Sequence, residues 1–128
     1  MGMELRVLMV MAMVVALTSV ASAASGTATY YTAPYVPSAC YGYQDNGNMI
    51  AAASDELWNN GAACGTSYTV TCTGATNQGV QQPCYGTTVK IVDYCPSGCQ
   101  GTIDLSQEAF STIADLNAGK VYIDYNLV

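Results

Sequence analysis

Six cysteines, Cys40, Cys64, Cys72, Cys84, Cys95 and Cys99, stand in a chain of 128 residues that contains no histidine. What they do depends on the compartment, and the N-terminus indicates one. Glu4 and Arg6 precede eleven uninterrupted apolar residues, 7–17, which give way to Thr18 and Ser19 and then to Ala21-Ser22-Ala23. A short polar start, an apolar stretch and small residues at the two positions that a signal peptidase reads make residues 1–23 an expected signal peptide, cleaved before Ala24. An uncleaved anchor fits less well, because a spanning helix needs about 20 apolar residues. The expected product is residues 24–128, secreted to the cell exterior without membrane insertion.

Export places the cysteines in an oxidising environment, and an even set of six, none inside the signal, reads as three disulfides. Fifteen pairings satisfy that count, and spacing alone does not choose among them. A metal site is disfavoured by the absence of histidine and by the compartment. The same absence removes Ser-His, Cys-His and His-metal mechanisms, so any hydrolytic chemistry falls to carboxylates, and no cofactor is implied. About 105 residues support one small domain, to which each bridge would add about 3 kcal/mol.

Beyond the signal, eight acids (Asp45, Asp55, Glu56, Asp93, Asp104, Glu108, Asp115 and Asp124) face two bases, Lys90 and Lys120. Glu4 and Arg6 cancel, so the net charge stays at −6. That sign repels phosphate backbones, anionic headgroups and acidic pectin, and two cations do not make the contacts that nucleic-acid affinity needs. Neutral polysaccharide and a protein with a basic patch remain as partners. No Asn-x-Ser/Thr acceptor is present. The oligomeric state is open, with a monomer as the default.

Strand and helix signals follow one another closely. Residues 26–32 are rich in β-branched and aromatic side chains and stop before Pro34, as an opening strand does. Residues 37–48 form a Tyr-, Gly- and Asn-rich loop with the turn dipeptide Asn46-Gly47. A short buried strand is expected over 49–53. Ser54 then stands at a helix N-cap position before Asp55 and Glu56, with Leu57 and Trp58 following and Asn60-Gly61 as the stop. Residues 67–73 alternate Tyr68, Val70 and Cys72 against Thr69 and Thr71. After a polar loop over 74–86, a strand over 88–94 runs into the Cys95–Cys99 turn. A strand over 102–105 leads to Ser106, which caps a helix over 107–114 with Phe110, Ile113 and Ala114 as its apolar face. Residues 121–127 alternate Val121, Ile123, Tyr125 and Leu127 against Tyr122, Asp124 and Asn126. Many short strands with two short helices indicate a small, mostly-β barrel, in which closure removes exposed edges.

Several of these segments carry a resemblance. Ala28-Thr29-Tyr30-Tyr31, Gly61-Ala62-Ala63-Cys64-Gly65, Tyr68-Thr69-Val70-Thr71-Cys72, Val89-Lys90-Ile91-Val92-Asp93-Tyr94-Cys95-Pro96, Ile103-Asp104-Leu105-Ser106 with Ala109-Phe110, and Val121-Tyr122-Ile123-Asp124-Tyr125 occur in one order. Together they resemble the plant natriuretic peptide group of family-45-endoglucanase-like proteins, relatives of expansin first domains, barwin and rare-lipoprotein-A domains. The resemblance implies a six-stranded double-psi β-barrel with short helices, stapled by disulfides. Matched cysteines imply Cys40 with Cys64 and Cys72 with Cys84, which leaves Cys95 with Cys99.

Family-45 hydrolysis requires two carboxylates, one protonating the leaving oxygen and one activating water. Asp104 matches the acid, and Asp93 matches a second groove aspartate shared with expansins. The opening strand, with Thr29 and Tyr31 facing the expected groove, carries no base. The resemblance therefore implies a protein that is not an enzyme. An alternative keeps both aspartates as turn supports that accept backbone N–H bonds. Likewise Tyr30, Tyr31, Tyr35, Tyr41 and Tyr43 either make a sugar platform or fill space, and Trp58, on the expected helix, reads as core or as support for it. The leading functional expectation is a non-hydrolytic apoplastic protein that signals in water and ion balance through a cell-surface receptor, with Tyr41, Tyr43 and Asp45 as contacts. The alternative is a non-catalytic module that binds neutral cell-wall glucan.

Overall fold

Short strands with small or β-branched inward residues close on themselves in the computed structural model, which describes residues 23–76, 85–95 and 99–128. The strands are β1 (Ala24–Tyr31), β2 (Ile50–Ala53), β3 (Ser67–Ala75), β4 (Gly86–Tyr94), β5 (Ile103–Ser106) and β6 (Val121–Leu127). Helix α1 (Asp55–Trp58) follows β2 and helix α2 (Gln107–Ile113) follows β5. The barrel order is β1-β5-β2-β4-β3-β6, closed by β6 against β1. β1 with β5 and β2 with β4 are parallel and the other pairs antiparallel, so the sheet is mixed. The expected signal peptide lies outside the described residues but for Ala23, as does Cys84.

Every strand sends alternate residues inward. Ala28, Ala51, Ala53, Val70, Val89, Ile91, Ile103, Leu105, Val121 and Ile123 meet in one core, to which α2 adds Ala109, Phe110 and Ile113. Tyr30 packs on Phe110 with ring centroids 4.9 Å apart. Ser106 caps α2 as its sequence position suggests, its hydroxyl accepting from the Ala109 amide at 3.1 Å. The last strand covers the residues that its alternation marks. Leu127, expected inward, is instead 60 % exposed, because the end of β6 overruns the core.

Ser54 departs from its expected role. It holds the N-cap backbone conformation, and its carbonyl accepts from Leu57 and Trp58, yet its side chain makes no cap. The hydroxyl is buried and has no hydrogen-bond partner among the described residues. α1 instead ends where Asn59 and Asn60 take the left-handed conformation. That region is accessible to asparagine at modest cost. Trp58 packs on the core and lies against Tyr94, with centroids 4.8 Å apart, as its support role requires.

Two disulfides close among the described residues. Cys40–Cys64 ties the 32–49 loop to the segment after α1, and Cys95–Cys99 closes the turn after β4, with Cα separations of 5.5 and 5.6 Å. Cys72 is also disulfide-bonded. Both described pairs are those that the resemblance implies.

Candidate functional site

Thr29, Asp104, Ala52 and Asp93 stand in one row across four strands. Thr29 is registered with Asp104, Asp104 with Ala52, and Ala52 with Asp93. Their chain neighbours Ala28, Ala51, Ile103 and Leu105 belong to the core, so the row faces outward. Asp93 reaches that face through a bulge. The register of β2 with β4 shifts between Ala51, opposite Ile91, and Ala52, opposite Asp93, which leaves Val92 as an extra residue. Val89 and Ile91 point inward, so uninterrupted alternation would send Asp93 into the core. The bulge instead sets Val92 and Asp93 in succession on the outer face.

The two aspartates are held differently. Asp104 is half-buried at the edge of a shallow depression of about 500 Å³ that Thr29, Tyr30 and the Cys95–Cys99 bridge also line. Burial raises its carboxyl above the usual range, and the Thr29 hydroxyl, which donates to Oδ1 at 2.9 Å, opposes that rise in part. Gly101, just before β5, lets the chain approach Thr29 closely, since a Cβ there would stand 3.1 Å from both the Thr29 amide and its hydroxyl. Asp93 accepts from the Ala39 amide at 2.9 Å and from the Tyr94 amide at 2.8 Å, both on Oδ1. It therefore supports the Cys40 loop, and none of its bonds among the described residues reaches past Tyr94 into the Cys95 turn. Asp104 supports no helix backbone, because Ser106 does that.

Tyr31 completes the face. Its hydroxyl is buried without a hydrogen-bond partner among the described residues. Burial first, then the charges of Asp93 and Asp104, hold its proton far more tightly than in a free tyrosine. Tyr31 meets Tyr35 edge to face at 5.3 Å, and the Tyr35 hydroxyl bonds the Glu108 carboxylate. A buried hydroxyl left unmet beside two carboxylates is unusual in a folded protein and marks this face as a candidate binding surface. The other tyrosines make no continuous platform, since Tyr30 belongs to the core.

Of the expected contacts on the 37–48 loop, two are engaged internally. Asp45 Oδ1 accepts from Gly47 at 2.8 Å and fixes the Asn46-Gly47 turn. The Tyr41 ring lies under Lys90 Nζ, 4.6 Å from its centroid. Tyr43 is 81 % exposed. Thr29, Tyr31, Asp93 and Asp104 are thus brought together, whereas Tyr41, Tyr43 and Asp45 belong to a separate loop. What sequence reasoning missed is the Val92 bulge. Its signal is faint: the run Ile91-Val92 breaks the apolar alternation just before Asp93.

Comparisons with known proteins agree with this geometry. The double-psi β-barrel family described as lytic transglycolase matches residues 50–125. An EG45-like domain containing protein of Citrus jambhiri is 60% identical over 98% of both chains. A putative EG45-like domain containing protein 1 of Arabidopsis thaliana is 54% identical, covering 80% of this chain and 82% of its own. Among solved structures, an expansin of Clavibacter michiganensis in complex with cellohexaose superposes with a TM-score of 0.64 at 29% identity. That match covers 83% of this chain, which spans half the length of that expansin. The matches support the expansin side of the resemblance and do not single out plant natriuretic peptides or rare-lipoprotein-A domains. The chain belongs to the EG45-like, expansin-related family of double-psi β-barrel domains.

Proposed function

We propose that this protein is a non-catalytic cell-wall module that binds neutral β-glucan along the outward face of β1, β5, β2 and β4. The observation that carries this reading is the Thr29–Asp104 hydrogen bond. The strand opposite the one acid-like carboxyl presents a neutral hydroxyl there, and no base. Asp104, with its raised affinity for a proton, suits the acid half of an inverting pair. Asp93 stands two strand spacings away, about 9.6 Å between Cα atoms, at the upper limit of the roughly 6.5–9.5 Å that separates the carboxyl groups of such a pair. Its Oδ1, however, is occupied by two backbone amides, that of Ala39, which fixes it to the loop, and that of its neighbour Tyr94. What remains is a polar face with an unmet Tyr31 hydroxyl, fit to bind sugar hydroxyls.

Kinship with an expansin crystallised with cellohexaose supports this ligand class. The net charge of −6 favours neutral over acidic polymers. Reception by a cell-surface receptor has less support, because Asp45 is spent within its own loop and the Tyr41 ring is covered by Lys90 of β4. In this reading the protein acts in the apoplast after loss of residues 1–23, and the secreted product begins at Ala24. N-terminal sequencing of secreted material checks that step.

The decisive experiment incubates the purified domain with insoluble cellulose and with xyloglucan, then assays retention and released reducing sugar. Retention without release is expected, with weaker retention in Tyr31→Phe. Sugar release abolished by Asp104→Asn would overturn the non-catalytic reading, and absence of retention at low salt would overturn glucan binding.

A further inference from the structure

The 32–49 loop does not lie flat on the barrel. Beneath it is a cavity of about 290 Å³ whose floor is Ile50 and Val92 and whose wall is Tyr35. Ile50 and Val92 are buried although neither belongs to the interior core. They form an outward apolar patch with the loop as its roof. That volume is at the lower edge of the usual range for small-ligand pockets, about 300–1,000 Å³. It suits one ring, not a chain.

The rim is polar and set in advance. Asp45 fixes the turn through Gly47, Asn46 accepts from Lys90 Nζ at 3.0 Å, and its own amide donates to the Gln44 carbonyl at 3.3 Å. Gln44, Asn46 and Asn48 thereby stand around an apolar floor with an aromatic wall. Amide and carboxylate groups over an apolar floor are the chemistry that grips vicinal hydroxyls on a ring with apolar faces. The ring must be neutral. Asp45 and, behind Tyr35, Glu108 repel an acid, and Lys90 is already engaged by Asn46 and Tyr41.

The cavity is also next to the groove. Tyr35 is shared: its ring lines the cavity and meets Tyr31 at 5.3 Å, and Tyr31 senses both Asp93 and Asp104. One pair of aromatic rings therefore separates the groove from the cavity.

We infer that the cavity under the 32–49 loop is a branch pocket, which takes a single neutral pyranose carried as a side branch by a glucan lying in the groove. This rests on the glucan-binding reading above. The pocket selects branched over plain backbone without adding to the hold on the backbone itself.

Calorimetric titration tests it with two soluble β-glucan oligosaccharides of equal backbone length, one plain and one bearing single neutral pyranose branches. Wild-type protein is expected to bind the branched form more tightly, by about fivefold, the worth of one net hydrogen bond or somewhat more. Gln44 is exposed, with no side-chain hydrogen bond among the described residues, so Gln44→Trp fills the cavity mouth with little risk to the fold. It should abolish the preference and leave affinity for the plain oligosaccharide unchanged, and Gln44→Ala should reduce the preference in part. An unaltered melting temperature confirms that each variant is folded. Equal wild-type affinity for the two sugars, or a preference untouched by Gln44→Trp, overturns the branch pocket while glucan binding stands. Binding of neither sugar overturns both.

Discussion

The two walls of the barrel obey different rules. Along β3 and β6, residues that point in are buried and residues that point out are wet: Val70, Cys72, Val121 and Ile123 against Thr71, Thr73, Tyr122 and Asn126. Along β2, β4 and β5 the outward positions Ile50, Ala52, Val92 and Ser106 are buried as well. The loop over 32–49 is the reason. Cys40 donates to the Val92 carbonyl at 3.0 Å, Ser106 donates to the Asn48 carbonyl, and Cys40–Cys64 secures the loop. A wall buried on both faces spends sequence on a second, outer layer, and the candidate site lies at the margin of that layer.

The largest test of this contrast removes the tether. Replacing Cys40 and Cys64 together by serine should cost about 3.5 kcal/mol in urea unfolding, as expected for a bridge spanning 24 residues of sequence. If the loop were mere surface, the loss would leave glucan retention intact, whereas the layered wall predicts that retention falls too. Next in size, Ile50→Ala should cost about 3 kcal/mol, as an interior residue does, while Thr71→Ala on the other wall should cost about 1 kcal/mol or less. Equal costs would erase the distinction between the walls.

Serines sharpen it further. Ser106→Ala strips both the α2 cap and the bond to the loop, for about 2 kcal/mol. Ser54→Ala removes a buried hydroxyl that has no partner among the described residues and should therefore stabilise the fold, by about 1 kcal/mol. The smallest effect is pH-linked. Because burial raises the Asp104 carboxyl, the folded state holds that proton more tightly than the unfolded chain does. Ionised Asp104 thus subtracts from stability at neutral pH, and the deficit disappears as pH falls through the raised value. Asp104→Asn should be the more stable protein at pH 7 and lose that advantage in acid, as denaturation midpoints across pH will show.

How much of this was legible in the sequence follows the same division. The β3–β6 wall was open to reading, because a strand wet on one face prints its alternation: β6 was expected over the residues that it occupies, and β3 within two residues. The doubly buried wall prints no such pattern. In Thr88-Val89-Lys90-Ile91-Val92-Asp93 a strand is plain, but the bulge is not, since an extra valine in an apolar run looks like any other. Ser106 and Ser54 occupy the same cap position in their motifs, and only tertiary contacts decide which hydroxyl finds its amide. Thr29, Asp93 and Asp104 came from resemblance to known sequences, and no local pattern places them in one row. Asp45 looked like a contact because an exposed acid beside tyrosines does, yet its carboxylate closes a turn.

The bulge at Val92 has a bearing on how such surfaces change over time. Substitutions alter what a position displays but leave its direction alone. Loss of one codon at Val92 would erase the bulge and leave Asp93 outward, directly after the inward Ile91, but it would take away the buried apolar residue beneath the 32–49 loop and the carbonyl that accepts from the Cys40 amide. For this stretch of β4, strand length is under stricter constraint than residue identity, and relatives that bind along the same face should tolerate Ile or Thr at this position far better than they tolerate a gap.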